Sequence, residues 1–471
     1  MARVVVMGAG VVGLATAMLL GIDGHDVVVV ERDPTEPDGD PDALWSGWER
    51  RGVNQFRLLH YFQPAFRDRL ERELPVVVGA LDAAGALRHN VMALVPEQLS
   101  GGFRDGDEQY EALTARRPVT EAVLARLAAE TRGVEIRRGV AIDGVLIGAP
   151  VDDGTPHIIG VRCANGDELR ADLVVDALGR RSSLASWLQA AGARAPVEER
   201  EDCGFVYYGR YFRSADGSVP AMIAGLLQDY GTISILTLPA DNGTWGVGVI
   251  VSARDKAARA LRDTDAWHRA LAAFPLAAHW ADGQPIDDGV AAMAGIEDLH
   301  RDYCPDGSPV ATGVVSIGDA WAATNPSLGR GATIGFFHAI ALRDAMRSNV
   351  LDAPGKFARG FAAATATSVE PWYRATLGYD RARLGEVDAE LTGQPYEPDP
   401  VWDFTRALTS AAGKDGDVLR ARLRIAGLLQ SIDDVLATPG LAERVIELGA
   451  GWRDEPTNGA NREEFLRALA G

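Results

Sequence analysis

Near the start of the chain the hydrophobic positions change rhythm within a few residues. Residues 3–7 are a β-branched run with no polar interruption, the pattern of a parallel strand buried on both faces. Gly8, Gly10 and Gly13 break that run, and residues 11–20 resume as an apolar helix punctuated by Gly21 and Gly24. Residues 26–30 form a second apolar run that ends in Glu31. Further along, Arg117-Pro118 opens a helix reaching residue 131, and strands follow at 134–136, 139–145 and 173–177. A strand at 310–317 then leads to a helix beginning near Ala332 and Thr333. Strands alternating with helices predict an α/β fold with a parallel sheet.

Between 196 and 295 the rhythm differs. Residues 205–212, 221–227, 232–238 and 245–251 read as strands, the last two joined across Asp241-Asn242-Gly243, a strong hairpin signal. This predicts an inserted antiparallel sheet, with helices at 257–261 and 266–273. From Lys356 onward the pattern is helical, broken at Pro371, at residues 395–400 and at Pro439-Gly440. That region reads as a packing cap or a dimer surface.

The glycines of the first turn have the spacing of a dinucleotide-binding loop. Gly8 permits the tight turn, Gly10 lets backbone approach a pyrophosphate, and Gly13 lets helix and strand pack closely. The helix beginning at Val11 and Val12 would direct its free N–H groups at the phosphates. Glu31 lies where a carboxylate accepts ribose hydroxyls, and Arg32 is placed to lie against adenine. A second glycine-rich stretch runs from Gly318-Asp319 through Pro326 to Gly329-Arg330-Gly331. The two turns together suggest FAD held at both ends, adenine half on the first and flavin half on the second.

Residues 318–331 resemble the GD motif of the flavoprotein aromatic hydroxylases, the para-hydroxybenzoate hydroxylase-like superfamily. The resemblance implies that Asp319 binds a ribityl hydroxyl. It implies that the loop Pro326, Gly329, Gly331 runs beside the isoalloxazine ring, with Ala332 and Thr333 opening a helix aimed at it. Residues 176–182, Asp-Ala-Leu-Gly-Arg-Arg-Ser, resemble the family's DG motif, but Leu178 stands where an aspartate is expected. Gly179 and the Gly-Arg-x-Ser variant are shared with flavin-dependent halogenases and geranylgeranyl reductases. FAD binding survives this departure; direct reduction by a bound nicotinamide is less well supported. By the same resemblance Arg117 lies near FAD, the backbone at Ile142 holds adenine, Arg50 binds pyrophosphate and Gln55 faces the dinucleotide. His60 is a catalytic candidate, although a lone histidine is more often structural. Tyr207, Tyr208, Tyr211 and Trp245 either line the pocket or fill the core.

The resulting architecture is a Rossmann-like FAD-binding domain of the glutathione-reductase type, discontinuous over 1–75, 100–195 and 296–350. A substrate domain with an antiparallel sheet occupies 76–99 and 196–295, and a helical region spans 351–471. Composition narrows the partners. A net charge of −19, from 47 basic and 66 acidic residues, disfavours nucleic acid and anionic membranes. Cys163, Cys203 and Cys304 are scattered, so neither a metal cluster nor a disulfide framework is expected. The chain begins at once with a strand and has no long apolar run, which predicts no signal peptide, no membrane span and a cytoplasmic setting.

The expected activity is that of an FAD-dependent monooxygenase using O₂. It would insert one oxygen into a small aromatic, polyketide-like or alkene substrate through a flavin C4a-(hydro)peroxide. NAD(P)H or a separate flavin reductase would supply electrons, and a homodimer is a further candidate assembly. One alternative is an FAD-dependent reductase or dehydrogenase of the geranylgeranyl-reductase kind; another is a non-enzymatic FAD-binding protein. Halogenation is disfavoured, because no lysine precedes Lys256 and the W-x-W-x-I-P motif is missing.

Overall fold

A computed structural model describes residues 1–151, 154–348 and 351–471. Its centre is a five-stranded parallel sheet in the order Val314–Ser316, Leu173–Asp176, Arg3–Met7, Asp26–Glu31, Val134–Arg138. The β-branched runs form these strands because both sheet faces are buried. Val4 and Val6 point into one cluster with Leu14, Met18, Leu124 and Phe336. Val5 and Met7 point into the other, with Val161 and Val174. Helices Val11–Ile22, Arg117–Glu130 and Gly331–Ser348 cover the first face. A three-stranded meander, Ile142–Ile147, Ile158–Cys163 and Glu168–Arg170, covers the second. Sheet neighbours thus come from the beginning, middle and three-hundreds of the chain. The boundary expected at 350 falls on a residue outside the described set.

The second large element is an antiparallel sheet of Leu227–Tyr230, Ile233–Pro239, Thr244–Ser252 and Phe205–Arg213, extended by Gln284–Pro285. The hairpin at 241–244 closes as its sequence predicts. Asn242 and Gly243 both have positive φ, 51° and 65°, and the Thr244 amide donates to the Asp241 carbonyl at 3.0 Å. Three expectations change. The strand read at 221–227 starts only at Leu227; the Leu226 carbonyl still accepts from the Thr237 amide at 2.8 Å, but residues 221–225 have no pairing on a neighbouring strand. The strand at 310–317 shortens to Val314–Ser316, the part that pairs with Val174–Asp176. Residues Ala257–Arg262 form a 3-10 helix rather than an α-helix.

The pleat separates the sheet's aromatics. Tyr208, Phe212 and Trp245 face outward against Trp267 and Phe274, and the terminal helix Arg462–Ala470 adds Phe465 and Leu469 to that layer. Phe205 and Tyr207 face inward, toward Tyr61 and Ile250. Tyr211 lies on the inner side too, tilted against Trp45 with centroids 4.7 Å apart. The four aromatics considered together in the sequence therefore divide: Tyr207 and Tyr211 inward, Tyr208 and Trp245 into the outer core.

One buried ion pair ties the antiparallel sheet to the start of helix Arg117–Glu130. Asp241, at the hairpin, accepts from Arg116 Nη2 at 2.7 Å, Nε at 3.1 Å and the Arg116 amide at 2.6 Å. Both side chains are fully buried. Removing Asp241 leaves the buried Arg116 with only the exposed Asp42, 3.3 Å away, as a charge partner among the described residues. Asp241→Ala is expected to lower unfolding stability by about 3 kcal/mol in urea titrations. The double change Arg116→Met with Asp241→Leu should cost less than that single one, because it strands no charge.

Candidate functional site

The two glycine turns, distant in sequence, meet in space. Val12, in the first turn of helix Val11–Ile22, is the contact. A Cβ on Gly318 would lie 3.2 Å from both Val12 methyls, and one on Gly335 would lie 2.4 Å from Val12 Cγ2. Only glycine at these two positions lets the helices converge at their N-terminal ends.

The first three glycines divide into two kinds. A Cβ on Gly8 would stand 2.7 Å from the Ala177 carbonyl oxygen, and one on Gly13 would stand 2.1 Å from the Gly8 carbonyl oxygen. These two are required by packing. A Cβ on Gly10 would meet no protein atom within 4 Å. The chain leaves that space open at a helix N-terminus that has neither a side-chain cap nor an acid in its first turn. Free N–H groups facing unfilled space suit an anion.

The second turn has the same character. The Asp319 side chain makes no hydrogen bond or ion pair among the described residues. It is half-buried, and a Cβ on Gly331 would lie 3.8 Å from its Oδ1. Helix Gly331–Ser348 starts there with no acid in its first turn, and Thr333 Oγ1 is buried without a partner. Gly329 has φ 62° and lies against Tyr61. An unpaired carboxylate, an orphaned hydroxyl, one uncapped helix start and a second with no acid in its first turn fit a ligand carrying phosphates at one end and hydroxyls further along.

A buried chain of charges starts at the first turn. Glu31 accepts from the Ala9 amide at 2.9 Å and the Asp33 amide at 3.0 Å, and it pairs with Arg50. Arg50 also pairs with Glu121 and donates to the Ala9 carbonyl at 3.1 Å. Glu121 in turn accepts from Arg117 Nε at 2.6 Å. Burial alone would raise the Glu121 pKa; Arg117 and Arg50 outweigh it and hold the carboxyl below the usual range. Arg50, desolvated but flanked by Glu121 and Glu31, is held firmly cationic. Glu31, Arg50 and Arg117 thus lie together at the first turn, with Arg50 bound to Glu31.

His60 ends this chain. Its Nδ1 lies 2.9 Å from the Leu58 carbonyl, and its Nε2 lies 3.1 Å from Arg117 Nη1. A carbonyl can only accept and a guanidinium only donate, so the ring is neutral with its proton on Nδ1. Burial, then the Arg117 charge, pushes its pKa down to about 3. Both nitrogens are engaged, which makes His60 a brace for Arg117 rather than a free base.

The other residues singled out in the sequence are placed as follows. Arg32 folds over Gly52, where a Cβ would stand 1.7 Å from its Nη2. Gln55 is half-buried, and its carbonyl accepts from the Leu58 amide at 3.1 Å. Ile142 begins the meander strand beside Glu31, since the Val140 amide donates to the Glu31 carbonyl at 3.0 Å. Gly179 takes φ 76° after strand Leu173–Asp176. Leu178 donates its amide to Asp176 Oδ1 at 3.1 Å, and Ser182 donates to Asp176 Oδ2 at 2.5 Å. Burial lifts Asp176 to about 6, against the pull of Ser182. Asp176 thus pins the turn from inside.

Several contributors escaped sequence reading. Glu121 follows Arg117 by one helical turn, a spacing that could have signalled it. Gln63 donates to the Leu328 carbonyl at 2.7 Å, and Arg301 donates to the Ala320 carbonyl at 2.8 Å. The Gly318 amide donates to His338 Nδ1 at 3.3 Å. None of these three carries a local motif.

No family model matches the chain. It is 27% identical over 475 residues to Protein Rv3254 of Mycobacterium tuberculosis, covering 96% of this chain and 94% of that protein. Its structural neighbours include a probable FAD-dependent monooxygenase and hydroxylases, beside a Diels-Alderase and a flavin-dependent brominase. One is PqsL from Pseudomonas aeruginosa, a probable FAD-dependent monooxygenase, with TM-score 0.57 and 19% identity over 83% of this chain and 97% of that one. Another is OxyS anhydrotetracycline hydroxylase from Streptomyces rimosus, with TM-score 0.57 and 18% identity over 91% and 76%. At these identities the likeness is one of fold, and it is the fold that the Gly318–Gly331 resemblance implied. No helix among the described residues is long and apolar enough to cross a membrane, and no group of His, Cys, Asp or Glu among them could hold a metal ion.

The His60 assignment has a direct test. Its ring signals in NMR are expected not to titrate between about pH 8 and pH 5, because the neutral form is fixed from both sides. Its depressed pKa contributes stability that is complete above the ordinary histidine value and declines as pH falls toward about 3. Titration near the ordinary histidine value would free His60 for acid–base work.

Proposed function

We propose that the protein binds FAD along the line joining its two glycine turns and acts as an FAD-dependent monooxygenase on a small aromatic, polyketide-like or alkene substrate. The observation that carries this reading is the open space at Gly10 together with the unpartnered Asp319, held in one piece by Val12. Gly10, Val11, Val12 and Gly13 would receive the pyrophosphate, with Gly8 setting the turn. Glu31 would accept the ribose hydroxyls, with Arg50 beside it, and Arg32 and Ile142 would flank the adenine. Gly179, Gly318 and Asp319 would take the ribityl chain. Pro326, Gly329, Gly331, Ala332 and Thr333 would border the ring, and the N-terminus of their helix would favour negative charge there. Arg117, at the start of its helix, and Gln55 would close the site.

When bound, FAD would supply the two-electron activation of O₂, from which one oxygen atom goes to the substrate and the other leaves as water. The protein's part is position and exclusion of water. The inner face of the antiparallel sheet, with Phe205, Tyr207 and Ile250, would form an apolar wall over the ring. Leu178, in place of the expected aspartate, favours electron delivery by a separate flavin reductase over a bound NAD(P)H. The shared Gly179-Arg180-Arg181-Ser182 turn supports a reductase of the geranylgeranyl-reductase kind as the second reading. Oxygen-dependent product formation supports the first reading, and anaerobic turnover would establish the second.

The cofactor assignment is tested by two substitutions. Gly10→Val should fold normally, since its backbone is extended and no protein atom lies within 4 Å of the new Cβ, yet purify colourless where wild type is yellow. Asp319→Ala should weaken FAD binding by roughly 1–3 kcal/mol, the scale for losing a charged hydrogen-bond partner. Wild-type affinity in either variant, measured by fluorescence titration, would displace FAD from this groove.

A further inference from the structure

The loop leaving the second turn is gripped by two acids from outside the parallel sheet. Asp298, in strand Glu297–Asp302, accepts from the Asn325 amide at 2.7 Å. Asp380, in helix Glu370–Thr392 of the C-terminal region, accepts twice with one oxygen. Its Oδ1 takes the Asn325 Nδ2 hydrogen at 3.1 Å and the Ser327 hydroxyl at 2.7 Å. Asn325 Oδ1 receives the Tyr207 hydroxyl at 2.5 Å, which ties the cluster to the inner face of the antiparallel sheet. Asp298 is 3% exposed and Asp380 2%.

The remaining oxygen, Asp380 Oδ2, is buried with no protein partner. Asp380 also lines a small cavity of about 10 Å³, together with Ser327, Ser234, Asp229, Tyr379 and Arg383. That is room for a single water, and the walls supply the polar groups a buried water needs. Both carboxyls of the grip thus reach Asn325, while only Asp380 has an oxygen left over beside a polar hollow.

We propose that Asp380 is a positioning residue of the redox site: one oxygen fixes Asn325 and Ser327 on either side of Pro326, and the other holds a water behind the loop. This rests on the reading that the flavin ring lies along residues 326–331. The helical C-terminal region then does more than cap the fold, because it sets the loop that borders the ring.

The surroundings also give the grip a pH dependence. Burial lifts Asp380 to about 7; Ser327 and Asn325 pull it down, the nearby Asp298 adds to the rise, and Arg330 opposes it. Asp298 is itself lifted to about 6 by burial. Across the cavity Asp229 is paired with Arg383 and Arg406, while burial keeps Tyr207, Tyr379 and Cys203 protonated. A carboxyl whose folded pKa is raised stabilises fully below its unfolded value, and that contribution is lost as pH rises through the folded pKa. The window for Asp380 therefore runs from the ordinary carboxylate value up to about 7.

The test uses Asp380→Asn, Asp380→Ala and Ser327→Ala. Asparagine keeps an acceptor for both donors and removes the charge; alanine removes the acceptor. In cofactor-free protein, amide exchange across residues 324–330 should match wild type in Asp380→Asn. It should be about tenfold faster in Asp380→Ala, as for a local loss near 1.4 kcal/mol. Ser327→Ala should fall between them, and it keeps the test alive if Asp380→Ala does not fold. Wild type should lose melting temperature relative to Asp380→Asn as pH rises from the ordinary carboxylate value to about 7, and the difference should then stay level. With FAD, the flavin spectrum and midpoint potential should shift in Asp380→Ala and return to wild-type values in Asp380→Asn at acidic pH. Unchanged exchange and an unchanged spectrum in Asp380→Ala would overturn the proposal. Wild-type protein that refuses FAD would overturn the cofactor reading and with it the redox role, a result the exchange data would distinguish from failure of the grip itself.

Discussion

Everything in the site depends on how closely two helices approach at Val12. The side chain fills the space between Gly318 and Gly335, and a Cβ at Gly335 would come within 2.4 Å of it. Close-packed interiors do not yield to an overlap of that size without moving a backbone. The contact therefore fixes the distance between the first turn, at the start of the chain, and the second, some three hundred residues later. A ligand that spans both turns is measured against that distance. Gly8 and Gly13 serve the same end from the other side, by drawing the first helix onto Ala177 and the sheet.

The charges follow from this packing. Once helix and strand close on one another, Glu31 is enclosed and must be compensated, and Arg50 does so. Arg50 is then enclosed too, and it exceeds what one carboxylate can satisfy, so Glu121 is recruited, and Arg117 after it. His60 receives the last donor because a neutral imidazole can accept without adding charge. A buried chain of this kind is weak evidence for stability, since desolvating its members offsets much of their attraction. It is better evidence for geometry: each member is oriented by the next, from the Ala9 amide to the loop at Leu58.

What the sequence made legible is what short-range patterns encode. The strands around the first turn, its glycine spacing, Glu31 and the Asn242-Gly243 hairpin are each determined within a few residues, and the structure has them in place. The second turn was readable through its resemblance to a known motif. Errors fell where pairing decides. Residues 221–225 look strand-like but find no partner, and 310–317 joins the central sheet over only three residues. The inner and outer aromatics of one strand, Tyr207 and Tyr208, are indistinguishable until the pleat assigns them. His60 drew attention as a lone histidine, yet its environment comes from Arg117, a residue far along the chain, and no local pattern carries that.

Asp380 marks the far limit of such reading. It sits in a helix whose flanking residues, Tyr379 and Arg381, give it no distinctive context, and it meets Asn325 and Ser327 only in the folded molecule. The arrangement has a physical logic. A loop bordering a redox ring must be rigid, yet its backbone is irregular and cannot be held by a sheet or helix ladder. Side chains from well-packed elements, two carboxylate acceptors and one hydroxyl donor, replace that ladder. Here they come from a strand, an inner sheet face and a C-terminal helix, none of which contributes to the glycine turns. Grip on the nucleotide end and precision at the ring end are thereby built on separate elements, joined at the Val12 contact.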